Sequence, residues 1–150
     1  MQPGEVVRWA NFPFQKEGPK KARWLICFGT VKFYGQETQV YLATTTTKLE
    51  YYQPGGKRRN QPHYLIKKSL APTFDADCVI DFMLDAPQPF LESCLTRANQ
   101  DIESKGVLSN PVMSEMFSAL VKSECVPPKI LRELRSSLEV CGYKNLAKVK

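Results

Sequence analysis

Arg23 is a residue whose type and position could serve phosphate chemistry. It lies at the beginning of a short apolar run, Ala22 to Phe28, and the loop before it is rich in lysine. An arginine at a strand end can be an ordinary exposed charge, or it can be a planar, permanently charged fork that binds a phosphate through paired hydrogen bonds. The place of Arg23, where a basic loop meets a rigid strand, is compatible with both interpretations.

An unbroken run of threonines, residues 44 to 47, is the second chemical feature. Threonine favours strands because its β-branched side chain packs well on a sheet, and this preference alone would explain the run. The hydroxyls are nevertheless donors and acceptors at a strand end. Because successive strand residues point to opposite faces, at most two of these hydroxyls can share a site with Arg23.

The remaining candidate residues indicate neither a catalytic histidine nor a metal site. His63 could act as a general acid or base, but it follows Pro62 at a loop edge, and we interpret it as a solvated residue. The aspartates between residues 75 and 85 do not have the spacing of a calcium loop, so we predict neither a metal site nor a cofactor. The chain contains no phosphate-binding loop, nucleophile elbow or zinc-protease motif.

Positive charge is concentrated in the amino-terminal half of the chain. The 150 residues carry a formal charge of +6, and residues 1–70 alone hold twelve Lys or Arg against four Asp or Glu. A basic half attracts phosphate backbones and releases counterions when it binds them, although positive charge also keeps proteins in solution. The charge distribution therefore permits a nucleic-acid partner without identifying one.

Composition excludes several classes of protein. With 43% hydrophobic and 11% aromatic residues the chain is not disordered, and its length allows one ordinary core. The five cysteines are odd in number and form no C-x-x-C pair, which argues against a disulfide framework and a zinc site. No apolar run is long enough to cross a bilayer. We expect a soluble cytoplasmic protein that makes no membrane contact.

Strand patterns dominate the chain up to Pro87. We predict strands over residues 5–12, 22–28, 39–46, 63–67 and 77–83, with a long basic loop over residues 48–62. Beyond Pro87 a helical period predicts one helix with an apolar face from Leu91 to Ile102 that ends at Gly106, a second from Ser109 or Asn110, and a third from Pro127 to Gly142. The predicted class is α+β, with a small antiparallel SH3-like barrel (residues 1–87) and a helical extension (88–150) that ends in a frayed tail.

Several segments resemble the MazF/PemK family of toxin–antitoxin ribonucleases. The opening segment, Gly4 to Phe14, resembles the family's first strand, which closes at Phe-Pro-Phe or a similar sequence. Lys21 to Cys27 falls where the family has a basic loop, an arginine and a second apolar strand, although Trp24 stands where the family usually has proline. Residues 42–48, 74–81 and 102–109 resemble its threonine-ended strand, its late strand and the lead into its last helix.

This resemblance implies a homodimeric endoribonuclease that cuts single-stranded RNA without a metal ion and is controlled by an antitoxin protein. The family's arginine, carried onto Arg23, would hold the scissile phosphate. Its threonine or serine, carried onto Thr45 or Thr46, would assist proton transfer or hydrogen-bond that phosphate. The alternative is a barrel of the same kind that has lost catalysis and serves as a nucleic-acid-binding or protein-interaction module.

Basic and aromatic residues interleave in the loops, which predicts an RNA-binding face. The basic members of this face are Lys16, Lys20, Lys21, Lys57, Arg58 and Arg59. Tyr51 or Tyr52 would stack against a base.

Overall fold

A computed structural model describes residues 1–14 and 18–150 of the chain. Its strands are β1 (Glu5–Trp9), β2 (Arg23–Val31), β3 (Gln39–Thr44), β4 (His63–Ile66), β5 (Cys78–Asp81), β6 (Gln88–Leu91) and β7 (Ile102–Val107). Its helices are α1 (Glu92–Arg97), α2 (Asn110–Ser123) and α3 (Pro128–Val140). Two short 3-10 turns cover Leu49–Tyr51 and Asn99–Asp101.

The main sheet is antiparallel and has the strand order β6-β3-β2-β1-β7. Strands β4 and β5 form a separate antiparallel pair, and a single bridge between Thr46 and Val79 joins this pair to the end of β3. The predicted α+β class, with an antiparallel sheet and carboxy-terminal helices, is confirmed. Within the described residues the main sheet is open, with β6 and β7 at its two edges.

Strand β2 lies at the centre of the sheet and is apolar on both faces. Ile26 and Phe28 belong to the larger core, which contains the buried stripes of α2 and α3, whereas Leu25 and Cys27 belong to a smaller core on the other face. Helix α3 approaches β2 so closely at Gly29 that an added Cβ would lie 2.9 Å from the Ser137 side chain. A central strand covered on both faces explains why the run from residue 24 to 28 lacks the alternation of a half-exposed strand.

The region after Pro87 differs from the prediction. Residues 88–91 and 102–107 are the edge strands β6 and β7 rather than parts of a helix, and α1 covers only Glu92–Arg97. The sheet therefore takes strands from both sides of the predicted boundary at residue 87. The helical period gave a wrong prediction here because Leu95, Ala98 and Ile102 do pack on one apolar surface. Ile102, however, belongs to strand β7 and not to a helix. Short edge strands that pair on one side, one of them carrying Pro89, lack a clear period of two.

Helices α2 and α3 are as predicted. Ser109 is the residue before α2, and Pro111 lies in the first turn, where its missing N–H costs no hydrogen bond. Helix α2 ends at Glu124, which adopts a left-handed backbone conformation with φ 58°. The stripes that the helical period identified, Met116 to Leu120 and Leu131 to Leu138, are buried.

The tail after α3 is docked, so the prediction of a frayed end is wrong. The Tyr143 hydroxyl donates to the carbonyl of Leu108 at 2.7 Å, and the Asn110 side chain bonds both backbone groups of Lys144. Arg135 donates to the carbonyls of Leu146 and Ala147. Tyr143 and Leu146 are also buried, so the tail's apolar residues pack against the core while its basic ones remain on the surface.

The contact between Gly4 and Tyr143 should be essential for stability. Gly4 has φ +83°, and a Cβ at this position would overlap the Tyr143 hydroxyl. We expect Gly4→Ala to lose about 1–2 kcal/mol of unfolding free energy through its left-handed backbone. Displacing the Tyr143 hydroxyl from its buried acceptor should add about 1–3 kcal/mol. Urea denaturation measures both losses.

Gly35→Ala is the matched control for this substitution. Gly35 has a similar φ of +74°, but nothing lies within 4 Å of an added Cβ. Gly35→Ala should therefore show the backbone cost alone. Equal losses in the two variants would show that the amino-terminal turn does not depend on the docked tail.

Candidate functional site

A wide cleft of about 1110 Å³ lies where β2 begins and β3 ends. Its lining comes from these two strands, the loop after β3, residues 74–78, β6 and α1. Six of the residues predicted from the sequence to act on RNA line this cleft: Lys21, Arg23, Thr45, Thr46, Tyr52 and Arg58. The fold therefore brings together residues from three separate segments of the chain.

Arg23 is half-buried at the first position of β2, opposite Trp9 of β1. One terminal nitrogen of its guanidinium donates to the carbonyl oxygen of Thr45 at 3.5 Å, the long limit for such a bond. A guanidinium carries five N–H donors, and among the described residues Thr45 accepts from only one of its nitrogens, which leaves donors for a ligand. Pairing with Trp9 of β1 holds the backbone of Arg23 on one side, and the pairing of β2 with β3 begins two residues later, at Leu25.

The two candidate threonines have different hydrogen bonds. Thr45 is only 8% exposed, and its hydroxyl donates to the carbonyl of Trp24 at 3.2 Å. Thr46 is half-buried, and its hydroxyl accepts a bond from the backbone N–H of Lys48 at 3.2 Å. An accepting hydroxyl keeps its own hydrogen for another acceptor. Thr46 is therefore the better placed of the two to donate to a phosphate, whereas the Thr45 hydroxyl bonds the backbone of strand β2.

Only some residues of the predicted basic face line the cleft in the structure. Lys21 and Arg58 line the cleft, whereas Lys20, Lys57 and Arg59 are exposed outside its lining. The Arg59 guanidinium donates to the carbonyl of Gly56 within its own loop. Lys16, which was also assigned to this face, lies outside the described residues.

Neither tyrosine offers a free ring for stacking in the way that the sequence suggested. Tyr51 is half-buried and surrounded by cations, with the Lys57 ammonium at 4.1 Å and the Arg58 guanidinium carbon at 5.1 Å from its ring centroid. Tyr52 is 8% exposed, and its hydroxyl donates to a carboxylate oxygen of Asp81 at 2.7 Å. The Tyr51 ring thus contacts cations of its own loop, and Tyr52 belongs to the lining of the cleft.

Asp81 is a fully buried acid whose carboxylate is satisfied by hydrogen bonds. Besides the Tyr52 hydroxyl, it accepts the backbone N–H groups of Met83 at 2.9 Å and Leu84 at 3.0 Å. Burial, with the bond to Asp81 next in importance, raises the pKa of Tyr52 to about 12. The neighbouring Tyr52 hydroxyl also raises the pKa of Arg58.

His63 is half-buried, so its interpretation as a solvated residue is wrong. Its ring lies 5.0 Å from the ring of Tyr52, and its Nδ1 is 2.7 Å from the carbonyl oxygen of Gln61. The residue belongs to β4, where it pairs with Asp81, and this pairing draws it inward from the loop. His63 is absent from the lining of the cleft.

An aromatic wall is the feature of the cleft that sequence reasoning missed. Phe14 is 55% exposed, and its ring centroid lies 5.4 Å from that of Phe90. Trp9 and Phe12 support this pair from the smaller core. The Phe-Pro-Phe segment was a visible signal, but it was interpreted only as a strand end, and Phe90 fell near the predicted helix. Lys48 and Arg97 also line the cleft, to which the described residues contribute five basic and two acidic side chains.

No group of three or more His, Cys, Asp or Glu side chains in residues 1–14 and 18–150 is arranged to hold a metal ion. No helix in this part of the chain has the length and apolar character to span a membrane.

Comparison with known proteins returned no family model that matches the chain and no matching curated protein.

The raised pKa of Tyr52 predicts a specific loss of stability at high pH. The folded state keeps the hydroxyl proton up to about pH 12, whereas the unfolded chain loses it near the ordinary value of 10. This contribution to the unfolding free energy is complete below pH 10 and disappears as the pH rises through 12. Tyr52→Phe should therefore lose less stability than the wild type over this interval, as measured by urea denaturation at each pH.

Comparing variants isolates this effect from the other groups that titrate at high pH, including Cys27 and Cys78, whose pKa values burial raises to about 12. Tyr34→Phe, which removes a hydroxyl from an exposed site, is the control for loss of a tyrosine. If the wild type and both variants lost stability in parallel, Tyr52 would not retain its proton in the folded protein.

Proposed function

We propose that this protein is an endoribonuclease that cuts single-stranded RNA by attack of a 2′-hydroxyl on the adjacent phosphate, without a metal ion. The observation that carries the proposal is the convergence of Arg23 and Thr46 on one basic cleft with an aromatic wall. The resemblance of residues 4–123 to the MazF/PemK family supports the same activity. With it we propose an SH3-like barrel, a homodimer in the cytoplasm, and control by an antitoxin protein.

The barrel proposal has one structural support. The Thr46–Val79 bridge connects the end of β3 to the β4–β5 pair, and two backbone hydrogen bonds of 2.9 and 2.8 Å form it. This bridge joins the second sheet to the end of β3, and it supports the proposal that the two sheets belong to one small barrel. The same bridge holds Thr46 at the floor of the cleft.

Arg23 has the chemistry that this reaction needs. When a 2′-hydroxyl attacks its neighbouring phosphate, the new bond to phosphorus replaces the bond to the 5′-oxygen, which leaves as a 5′-hydroxyl after taking a proton from water. Negative charge grows meanwhile on the phosphate oxygens that do not leave. A guanidinium already held in place stabilises that charge more in the transition state than in the ground state. Thr46 would donate a second hydrogen bond to the same phosphate. The carboxylates of Asp75 and Asp85 also line the cleft and are candidates to accept the proton of the attacking hydroxyl.

The lining of the cleft suits a polymer of phosphates and bases. Its volume of about 1110 Å³ exceeds the range of about 300–1,000 Å³ that small-molecule pockets occupy. Its excess of basic residues would neutralise phosphates, and Phe14 and Phe90 offer apolar faces on which bases can stack. Recognition of single strands commonly combines these two elements.

A second function, a cleft that binds RNA or a protein without cutting RNA, is favoured by one observation. The hydroxyl of Thr45 and one nitrogen of Arg23 donate hydrogen bonds to backbone carbonyls. Two of the predicted catalytic groups therefore already stabilise the fold. RNA binding without cleavage in the assay below would favour this alternative.

Loss of Arg23 should nearly abolish cleavage. We expect Arg23→Ala to slow the cutting of a mixed-sequence single-stranded RNA by about 100- to 1000-fold, because a preorganised donor to the transition state is removed. The assay is run in excess chelator, and mass spectrometry of the products should find 2′,3′-cyclic phosphate ends.

Arg8→Ala is the matched control for Arg23→Ala. Arg8 lies on the neighbouring strand β1 but is absent from the lining of the cleft. Arg8→Ala therefore removes the same charge without changing the proposed site. Circular dichroism verifies that both variants fold. Undiminished cleavage in Arg23→Ala would refute the proposed mechanism, and cleavage that stops on addition of chelator would refute its independence from metal.

Thr46→Val and Thr45→Val should separate catalysis from stability. Thr46→Val keeps the shape of the side chain and should lower the cleavage rate by about 10- to 100-fold, the value of a hydrogen bond to a charged group. Thr45→Val breaks the bond to Trp24 and should lower thermal stability more than rate. Single-turnover kinetics and thermal melting measure the two effects. The opposite pattern would assign the catalytic hydroxyl to Thr45.

A further inference from the structure

The ring of Tyr51 has three cations around it. Its centroid lies 4.1 Å from the Lys57 ammonium, 5.1 Å from the Arg58 guanidinium carbon and 5.7 Å from the Lys48 ammonium. All three distances are within the range of about 6 Å over which an aromatic face attracts a cation. We call these four residues the Tyr51 cluster. Two other rings in residues 1–14 and 18–150 meet a cation in this way, and each meets only one.

Hydrogen bonds within the basic loop form this cluster. The N–H of Arg58 donates to the carbonyl of Tyr51 at 2.8 Å, and the N–H of Gly56 donates to the carbonyl of Gln53 at 2.8 Å. The chain returns on itself so closely that a Cβ on Gly56 would overlap the carbonyls of residues 50 and 51. This return brings residues 57 and 58 to a ring that residue 48 also reaches, so the folded backbone gathers the three cations.

The charges of the Tyr51 cluster are not balanced by carboxylates within the described part of the chain. The two salt bridges formed there join Lys105 to Glu103 and Arg135 to Glu139, so neither includes a cation of the cluster. The distances from the ring place Lys57 within about 10 Å of the other two cations, about one Debye length at 0.1 M salt. Their fields therefore add, and the cluster attracts anions.

The Tyr51 cluster borders the cleft next to Thr46. Lys48 and Arg58 belong to the lining of the cleft, whereas Lys57 is exposed outside it. The backbone N–H of Lys48 donates to the Thr46 hydroxyl at 3.2 Å, so the cluster begins beside the proposed catalytic hydroxyl. Positive charge thus continues from the cleft onto the outer surface of the loop.

We propose that the Tyr51 cluster binds phosphates of a single strand where the strand runs out of the cleft, and that Tyr51 is a positioning residue for the three cations. This inference rests on the proposed binding of single-stranded RNA. A cation already held against a ring loses less side-chain freedom when it binds a phosphate. An ammonium has three donors, so contact with the ring leaves N–H groups for phosphate oxygens. Because cations occupy the surroundings of the Tyr51 ring, this role replaces the base stacking that the sequence suggested.

Two probes with equal numbers of phosphates separate contacts to phosphates from contacts to bases. One is a single-stranded DNA oligonucleotide, which lacks the 2′-hydroxyl nucleophile and is not cut. The other is a deoxyribose phosphate chain of the same length without bases. Fluorescence anisotropy over a range of salt concentrations gives the affinity for each probe and the number of phosphates neutralised.

Lys57→Ala is the first variant, because Lys57 lies outside the lining of the cleft and is no part of the proposed catalytic site. It should weaken binding of both probes by about 5-fold at 0.1 M salt and reduce the slope of log K against log salt by about 0.7, the value for one phosphate contact. Lys129→Ala is the matched control. It removes a lysine that lies 5.0 Å from the ring centroid of Phe33, outside the lining of the cleft, and should leave both quantities unchanged.

Tyr51→Leu tests the positioning role. It keeps an apolar side chain but removes the ring, and it should weaken binding of both probes by the same factor, about 2- to 5-fold, the value of one exposed cation–π contact. Tyr51→Phe keeps the ring and should bind as the wild type does. The double variant Tyr51→Leu/Lys57→Ala should lose less affinity than the product of the two single losses, because the ring acts in part through Lys57. Circular dichroism verifies folding, and Tyr51→Met replaces Tyr51→Leu if the latter does not fold.

The outcomes separate this inference from the proposed function. Equal affinities of Lys57→Ala and Lys129→Ala for both probes overturn the inference even if the wild type binds and cuts RNA. A loss in Tyr51→Leu that is confined to the probe with bases means that Tyr51 stacks a base, and it overturns the positioning role. The expected pattern without RNA cleavage supports the inference and overturns only the nuclease, whereas a wild type that binds neither probe overturns both.

Discussion

The burial of strand β2 on both faces is the constraint on which the rest of the molecule depends. Residues 25–28 are fully buried, and each large apolar side chain among them is worth about 1.5–3 kcal/mol when removed from water. Because neither face can be left to solvent, the chain must supply a cover on each side. Helices α2 and α3 cover one face, and Trp9, Phe12 and Leu95 cover the other.

This double cover also explains where the cleft lies. The strand is fully buried from Leu25 to Phe28, whereas its first residue, Arg23, is half-buried and lines the cleft together with residues 74–78 and β6. The buried part of β2 thus ends within two residues of the charged side chain of Arg23. The aromatic wall belongs to the smaller core as well, so Phe14 and Phe90 rest on buried rings instead of on a loop.

The sequence predicts those parts of the fold that carry a strong local period. Strands β1 to β3 and helices α2 and α3 were found because their apolar residues repeat along a single element. Strands β6 and β7 were missed because each pairs on one side only, and their apolar residues pack with α1. In the cleft, Arg23 and the threonines were visible from their types. The Tyr52–Asp81 contact joins residues 29 positions apart in different elements, and no local pattern records it.

The meeting of Gly4 with Tyr143 has a consequence for how the protein is made. Synthesis proceeds from the amino terminus, yet β1 gains its outer neighbour only when β7, residues 102–107, has emerged, and its entry turn is closed only by Tyr143. The first strand must therefore wait until residues 102–143 have emerged, and contacts of such long sequence separation slow folding. A ribosome-bound fragment that ends before residue 102 would expose the edge of β1 to other chains, and unpaired strand edges of this kind promote aggregation.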